Sequence, residues 1–511
     1  MKTTEADVKD TPVGTTIPGR AAEGMPGSAV PATAPAGGPP AGGPPAGGPP
    51  KGKPMGKKEW GGLIGGLILG IIVFLIPIEG LEYAGHAQLS LTLLALVWWA
   101  TGALPAPITA AIYMGATVVL QIAPAPNVFG AWYQGCNAWI VIAAFLIAAA
   151  VERTGLGRRI AYAICTMKFI KGYPSMIAAI TVLNIVLALL IPSAFARTFL
   201  ILVIVEEVCM ANGVNEHNSR ILKFAVFAIS VPTMTLFLTA EAAINSIIAN
   251  ALGGVSWFAW FFQMGIPSLI LVILTAVLFT FMFKPEGKVN IDVSVCREKL
   301  KELGGIKFPE VKCICWLIIL LVFWGMSDML GIKLEIGTFF ITALMFIPVI
   351  GCINMGALES IPLGTLIFVT CTVAIGSVGG VSGLNEWIAT TFLPTEFIDN
   401  PILIVLFIAL VCMVLHWVIG SVMATVGVIV PILMAFAGNV PAVTAAVVLY
   451  VGFHVISGQY LLSMHQATLA SGMEKAGFTD KMVLRMGLPL IVLILIQSLI
   501  DLGWFAIIGI A

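Results

Sequence analysis

From residue 59 onward the chain is a succession of apolar runs parted by short polar stretches. A helix needs ~20 apolar residues to cross a bilayer. The pattern predicts simple spans near 61–78, 87–102, 104–124, 137–152 and 257–283, then near 313–330, 336–352, 361–384 and 483–509. Four further runs are interrupted. Those at 173–212 and 401–437 break at their centres, at Pro192-Ser193-Ala194-Phe195 and at Gly420-Ser421. Those at 224–253 and 442–473 read as broken spans; the first carries Thr233, Thr235, Thr239, Glu241 and Asn245 in its middle. The breaks repeat. Gly155 and Ser193 recur as Gly383 and Ser421, each pair 228 residues apart (383 − 155 and 421 − 193). Polar interruptions at corresponding points of two halves are the best sequence pointer to a transporter's binding site.

Composition agrees with a membrane solvent. Hydrophobic residues are 59% and charged residues 10%, against about 25% charged in a soluble domain. No Asp, Glu, Lys or Arg lies between Glu82 and Glu152. The predicted class is an all-α membrane protein. It has about 11 transmembrane helices plus two re-entrant hairpins, in two inverted repeats. Basic residues, which favour the cytoplasmic side, set the expected orientation in the cell (inner) membrane. Lys51, Lys53, Lys57 and Lys58 place the N-terminus in the cytoplasm. Arg153, Arg158 and Arg159 place the end of the fourth span there. The stretch 284–312 carries seven Lys or Arg, at 284, 288, 297, 299, 301, 307 and 312, and reads as a cytoplasmic linker with a short helix near Val293–Leu303. The first hairpin, 173–212, has basic flanks, whereas the second, 401–437, has none; the two therefore enter from opposite faces. Parity leaves 173–212 as two spans or one re-entrant hairpin, and Arg197 beside its turn favours a tip away from lipid. The C-terminus falls outside.

The predicted divisions are a tail, 1–58; a first repeat, 59–283; the linker, 284–312; and a second repeat, 313–511. In the tail, Ala36-Gly-Gly-Pro-Pro recurs at Ala41 and Ala46, a composition expected to be disordered and partly polyproline II. Nine cysteines scattered through apolar runs suggest no disulfide framework, and Cys313-Ile-Cys315 is a weak metal signal. Lys and Arg together equal Asp and Glu at 26 each. The lipid bilayer is the expected partner, and no nucleic acid is expected.

The chemistry sits at the breaks. Helix N-terminal N–H groups suit an anion, and carbonyl ends suit a cation. Ser193, Thr198, Ser421 and Thr425 add hydroxyls, although each could simply bond its own helix. Arg197 offers a bidentate fork for a carboxylate, or else pairs with Glu206, Glu207 or Glu241. The site so inferred holds a small anion between two tips, with Ser463 of the second broken run as a further hydroxyl.

These tips resemble those of the divalent anion/sodium symporter family of dicarboxylate, citrate and sulfate transporters, over roughly residues 60–511. The family carries Ser-Asn-Thr at both tips; this chain has Ser193-Ala194-Phe195 and Ser421-Val422-Met423. The serines are kept, and the Asn and Thr side chains that contact sodium and substrate in the family are lost. Pro192-Ser193, Ala196-Arg197-Thr198 and Phe237-Leu238-Thr239-Ala240 resemble the branch that exchanges dicarboxylates or citrate without sodium. His416 falls where that branch has a His before its second Ser. Asn245 matches the family's Asn after the kink with a slip of one residue. The resemblance implies substrate contacts at Thr239 and Asn245, and a homodimer that moves its hairpin domain like an elevator. It implies no cofactor; any sodium would lie near Ser193 and Ser421. Glu241 has no family counterpart. It needs protonation or pairing with Arg197 beside a dianion, or serves with His416 in coupling.

The leading expectation is exchange of small di- or tricarboxylates, with sodium-coupled symport of dicarboxylate or sulfate as its alternative. A channel or receptor scaffold is a third reading. An intramembrane enzyme is another, with His454 and His465 as its candidate residues and no accompanying catalytic motif.

Overall fold

The computed structural model describes residues 55–134, 137–392 and 400–511. The predicted tail therefore lies outside the described residues up to Pro54, and α1 already begins at Lys57. Among the described residues the fold is helical, with no strand beyond one bridge between Gly172 and Asn290.

The first half runs α1 (Lys57–Leu75), α2 (Tyr83–Thr101), α3 (Ala106–Val119), α4 (Ala131–Gln134), α5 (Asn137–Thr154) and α6 (Leu156–Cys165). Then come α7 (Tyr173–Leu190), α8 (Ala194–Ala211), α9 (Glu216–Ser230), α10 (Ala242–Ala251), α11 (Trp257–Trp260) and α12 (Ile266–Met282). The linker holds α13 (Ser294–Glu302). The second half runs α14 (Phe308–Leu330), α15 (Leu334–Leu344), α16 (Leu363–Val381), α17 (Leu384–Phe392), α18 (Pro401–Ile419), α19 (Val422–Asn439), α20 (Ala445–Gly458), α21 (Ala467–Ala476) and α22 (Asp480–Ile507).

Seven described helices are long and apolar enough to cross a membrane by length and composition: α1, α7, the α11–α12 rod, α14, α16, α18 and α22. This is fewer than the expected count of about 11, because several apolar runs divide into shorter helices. The run at 336–352 is an instance. Its helix, α15, stops at Leu344, and the Met345 carbonyl accepts the Cys352 N–H at 3.0 Å across a turn containing Pro348. Proline lacks the N–H that would continue the helix. The linker is ordered. Asn218 and Asn212 bracket the backbone of Glu286 and Asp292, and Arg159 pairs with Glu310 at 2.8 Å.

The two halves break alike. Gly155 and Gly383 both adopt the left-handed conformation, at φ 81° and 76°. Between α7 and α8, and again between α18 and α19, the chain leaves the helix for two or three residues. Ser193 and Ser421 then restart it with nearly the same angles, φ −146°, ψ 117° and φ −141°, ψ 122°. The other interruptions are longer. A 3-10 turn at Val231–Thr235 and irregular chain to Glu241 separate α9 from α10, and 459–466 separates α20 from α21. Each of these is closely approached by the next long rod. A Cβ on Gly265 would stand 2.4 Å from the Leu236 carbonyl oxygen, and one on Gly487 would stand 2.3 Å from that of Tyr460.

A side chain at Gly487 must therefore displace backbone. Gly487→Ala is expected to lower stability by about 1–3 kcal/mol, read as a fall in thermal unfolding temperature in detergent. On the same helix, Gly503 is exposed and a Cβ there would meet nothing within 4 Å, so Gly503→Ala is expected to be neutral or stabilising.

Candidate functional site

Each hairpin tip is seated on the broken helix of its own half. At the first, Ser193 caps α8 by accepting the Ala196 N–H at 3.4 Å, and the Thr198 hydroxyl donates back to the Ala194 carbonyl. Arg197 is fully buried. One Nη donates to the Ala240 carbonyl at 2.7 Å and to the Ile191 carbonyl at 3.3 Å; the other donates to the Thr233 hydroxyl at 3.2 Å. The guanidinium thus ties the orphaned carbonyls of two breaks together. No ion pair within 4 Å joins it to Glu206, Glu207 or Glu241 among the described residues. Its Nε has no partner. Glu241 instead accepts the Ala194 N–H at 2.6 Å. A carboxylate of the protein itself thereby occupies the first amide of α8, where helix polarity favours negative charge.

At the second tip, Ser421 accepts the Ala424 N–H at 3.4 Å, and the Thr425 hydroxyl donates to the Ser421 carbonyl at 2.8 Å. His416 is fully buried, with Nδ1 3.2 Å from the Thr425 hydroxyl and its ring 5.6 Å from that of His465. Trp417 donates to the Gln459 side chain at 2.9 Å, which joins this tip to the second break. A Cβ on Gly420 would meet Met464 at 3.0 Å and His465 at 4.0 Å. A cavity of about 510 Å³ opens beside the tip, lined by Ser421 and Ala424, the Gly102–Ala106 turn, Trp99, Phe368, Met55 and Glu59. The first N–H groups of a helix have no acceptor inside it, and no acidic side chain hydrogen-bonds this tip among the described residues.

The predicted residues thus divide. Ser193, Arg197, Thr198, Glu241 and, through the same break, Thr239 and Asn245 gather at tip one. Ser421, Thr425 and His416 gather at tip two. No hydrogen bond joins the tips among the described residues. Three expectations change. The Arg197 fork, expected to hold a carboxylate, is spent on protein oxygens. The Asn245 amide donates to the carbonyls of Met234, Phe237 and Leu238 at 2.9–3.3 Å, leaving only its oxygen free, and Thr239 accepts from Trp257. Ser463 donates to Asp480 at 2.7 Å, while its neighbours Met464 and His465 face the tip. Thr233, Gln459 and Gln466 join the site without having been expected there, and His465, expected as a helix–helix hydrogen-bond partner or an enzymatic candidate, lies at the second tip. Polar residues inside apolar runs were the available signal.

Sodium needs several oxygens. At tip one, the carbonyls that a cation would use, Ile191 and Ala240, already accept from a fixed cation. At tip two the buried group is the His416 imidazole, beside the Thr425 hydroxyl and the Ser421 carbonyl.

A helical membrane fold with paired hairpins and paired broken helices is a transporter architecture. The sequence model of the sodium:sulfate symporter transmembrane region matches residues 57–510, and the chain belongs to that family of transporters. Over 281 residues it is 27% identical to the inner membrane protein YbhI of Escherichia coli, covering 51% of this chain and 58% of that protein. It is 26% identical to the chloroplastic dicarboxylate transporter 1 of Spinacia oleracea, covering 64% and 59%. It is 23% identical to the citrate/succinate antiporter of Escherichia coli K12, covering 61% and 66%. The aligned chain spans about six-tenths of the length of these relatives. Among solved structures, the YdaH transporter of Alcanivorax borkumensis shares the fold at a TM-score of 0.50 and 10% identity, over 75% of this chain and 87% of that one.

Truncating Arg197 would leave buried oxygens on three segments without donors, each costing about 1–3 kcal/mol. Arg197→Ala is therefore expected to lower the unfolding temperature and abolish transport together. Arg197→Lys, with the charge but not the fork, should fall between. Unchanged stability in Arg197→Ala would assign the residue to ligand alone.

Proposed function

We propose that this protein is a secondary active transporter of small organic di- or tricarboxylates that works by exchange. The observation that carries the reading is the pair of geometrically matched tips, each docked on a broken helix, with Arg197 and His416 where a sodium-coupled protein would need cation ligands. The names of relatives, a dicarboxylate transporter, a citrate/succinate antiporter and a putative malate transporter, support this substrate class. One substrate carboxylate meets the open amides of the Ser421 tip. The other meets the Ser193 tip, where it competes with Glu241. In this proposal the halves are inverted repeats and the hairpins re-entrant. The N-terminus is cytoplasmic and the C-terminus external. The hairpin domains move in elevator fashion within a homodimer. The alternative, sodium symport, draws on the description of the family itself.

Counterflow of labelled malate, succinate, citrate and sulfate in proteoliposomes separates the two. Replacing sodium by potassium or choline is expected to change exchange by less than ~2-fold, whereas the loss of a coupling ion removes 5-fold or more. Strict, saturable sodium dependence would sink the proposal.

Glu241→Gln keeps an oxygen for the Ala194 N–H but removes a negative charge from the path of a dianion. The apparent KM for dicarboxylate should fall by roughly 3–10-fold, about the effect of 1 kcal/mol of relieved repulsion. A raised KM would mean that Glu241 holds the tip in its binding shape.

A further inference from the structure

Away from the tips, a second group of ionisable side chains lies buried between helices. His454 on α20 and Asp501 on α22 are each 1% exposed, with His454 Nδ1 2.8 Å from an Asp501 oxygen. The other Asp501 oxygen accepts from the Gln497 amide at 2.8 Å, and that amide also donates to the Pro267 carbonyl at 3.1 Å, beside the start of α12. Both carboxylate oxygens are thus engaged; with the imidazole proton on Nδ1 both accept, the arrangement of a carboxylate facing a neutral imidazole. Three further polar atoms of the cluster, His454 Nε2, the Ser457 hydroxyl and the Gln497 amide oxygen, are buried without a protein partner.

We propose that the His454–Asp501 pair is an intramembrane proton-binding site coupled to anion movement, a role that rests on the transport reading above. Its ligand is a proton, taken on His454 Nε2. With neutral imidazole the cluster carries a net negative charge in a low-dielectric layer; one proton converts it to a neutral ion pair. Among the described residues no lysine or arginine pairs with Asp501. On the segments packed against α20 and α22, namely α10, α12, α18, α19, the 231–235 turn and the 459–466 break, the titratable groups are Cys412 and His416 on α18 and Tyr460 and His465 in the break. Their own helices add Tyr450, whose hydroxyl donates to Gln263, and Asp480, Lys481 and Arg485 at the far end of α22. Arg485 lies 16 residues from Asp501 (501 − 485), or ~24 Å along a helix.

The cluster is also linked to the site. His454 lies one turn before α20 breaks at Gly458. The Gln466 side chain donates back across that break to the Ser457 and Gln459 carbonyls, at 3.4 and 3.2 Å. Gln459 in turn accepts from Trp417 of the second tip. A change of charge at His454 therefore acts on the helix arm that carries the break seating Ser421. A proton bound there offsets one charge of a travelling dianion.

The test uses the full chain in proteoliposomes, with labelled succinate uptake driven by an acid-outside pH step, proton entry followed by an internal pH dye, and succinate exchange at equal pH. The wild type should show gradient-stimulated uptake of ~5-fold or more, the size of an ordinary coupling, with matching proton entry. Asp501→Asn and the double variant His454→Leu/Asp501→Leu should lose both while keeping exchange at equal pH within ~2-fold. The second variant guards against misfolding, because apolar replacement of a buried ion pair is often neutral or stabilising. Retained proton entry in these variants would overturn the proposal. So would loss of exchange together with coupling in folded protein, the signature of a structural role. A wild type that exchanges succinate but moves no proton overturns this inference alone; one that moves no carboxylate overturns the transport reading and this inference with it.

Discussion

Inside a membrane a broken helix cannot expose its backbone to lipid, so each interruption must be buried in protein or line a cavity. This chain has four main interruptions in its apolar runs, and they complete one another in pairs. Arg197 serves a carbonyl from the first tip, Ile191, and one from the first broken helix, Ala240. Asn245 serves three more carbonyls of that broken helix, and Trp260 serves Thr235. In the second half Gln466 serves Ser457 and Gln459, while His465 Nδ1 accepts the N–H groups of Leu461 and Leu462. The tips exist because the broken helices do. The close approaches at Gly265 and Gly487 then press a long rod against each break.

The halves share a backbone but not a charge. The first tip holds a guanidinium and a carboxylate; the second holds imidazoles and amides. A dianion bridging such tips would meet a fixed positive charge screened by backbone on one side and open amides on the other. The Glu241 carboxylate occupies the first amide of α8, at Ala194.

Much of this was legible along the chain. The all-helical membrane class follows from hydropathy, and the breaks follow from Pro192, Gly420 and the polar residues of 224–253, because helix continuity is a local property. The 228-residue offset located both tips, whose backbone angles agree. Span lengths were less legible: the run at 336–352 looked continuous, yet Pro348 ends its helix early. Asp501 drew no notice along the chain, and its partner His454 lies 47 residues away in sequence.

The sequence by itself determined that this is a helical membrane protein of two similar halves, and where each half breaks. Only the tertiary structure decided what the polar groups at those breaks do. An orphaned carbonyl or amide is filled by whichever side chain the packing brings near, and those partners lie 6 to 47 residues away at the tips, as with Ile191 and Arg197 or Ala194 and Glu241. Hydropathy and spacing act over a few turns of chain. The choice between holding a ligand and holding the backbone together is settled by contacts across the fold, which is why Arg197 read as a substrate fork in the sequence and stands as a clamp in the structure.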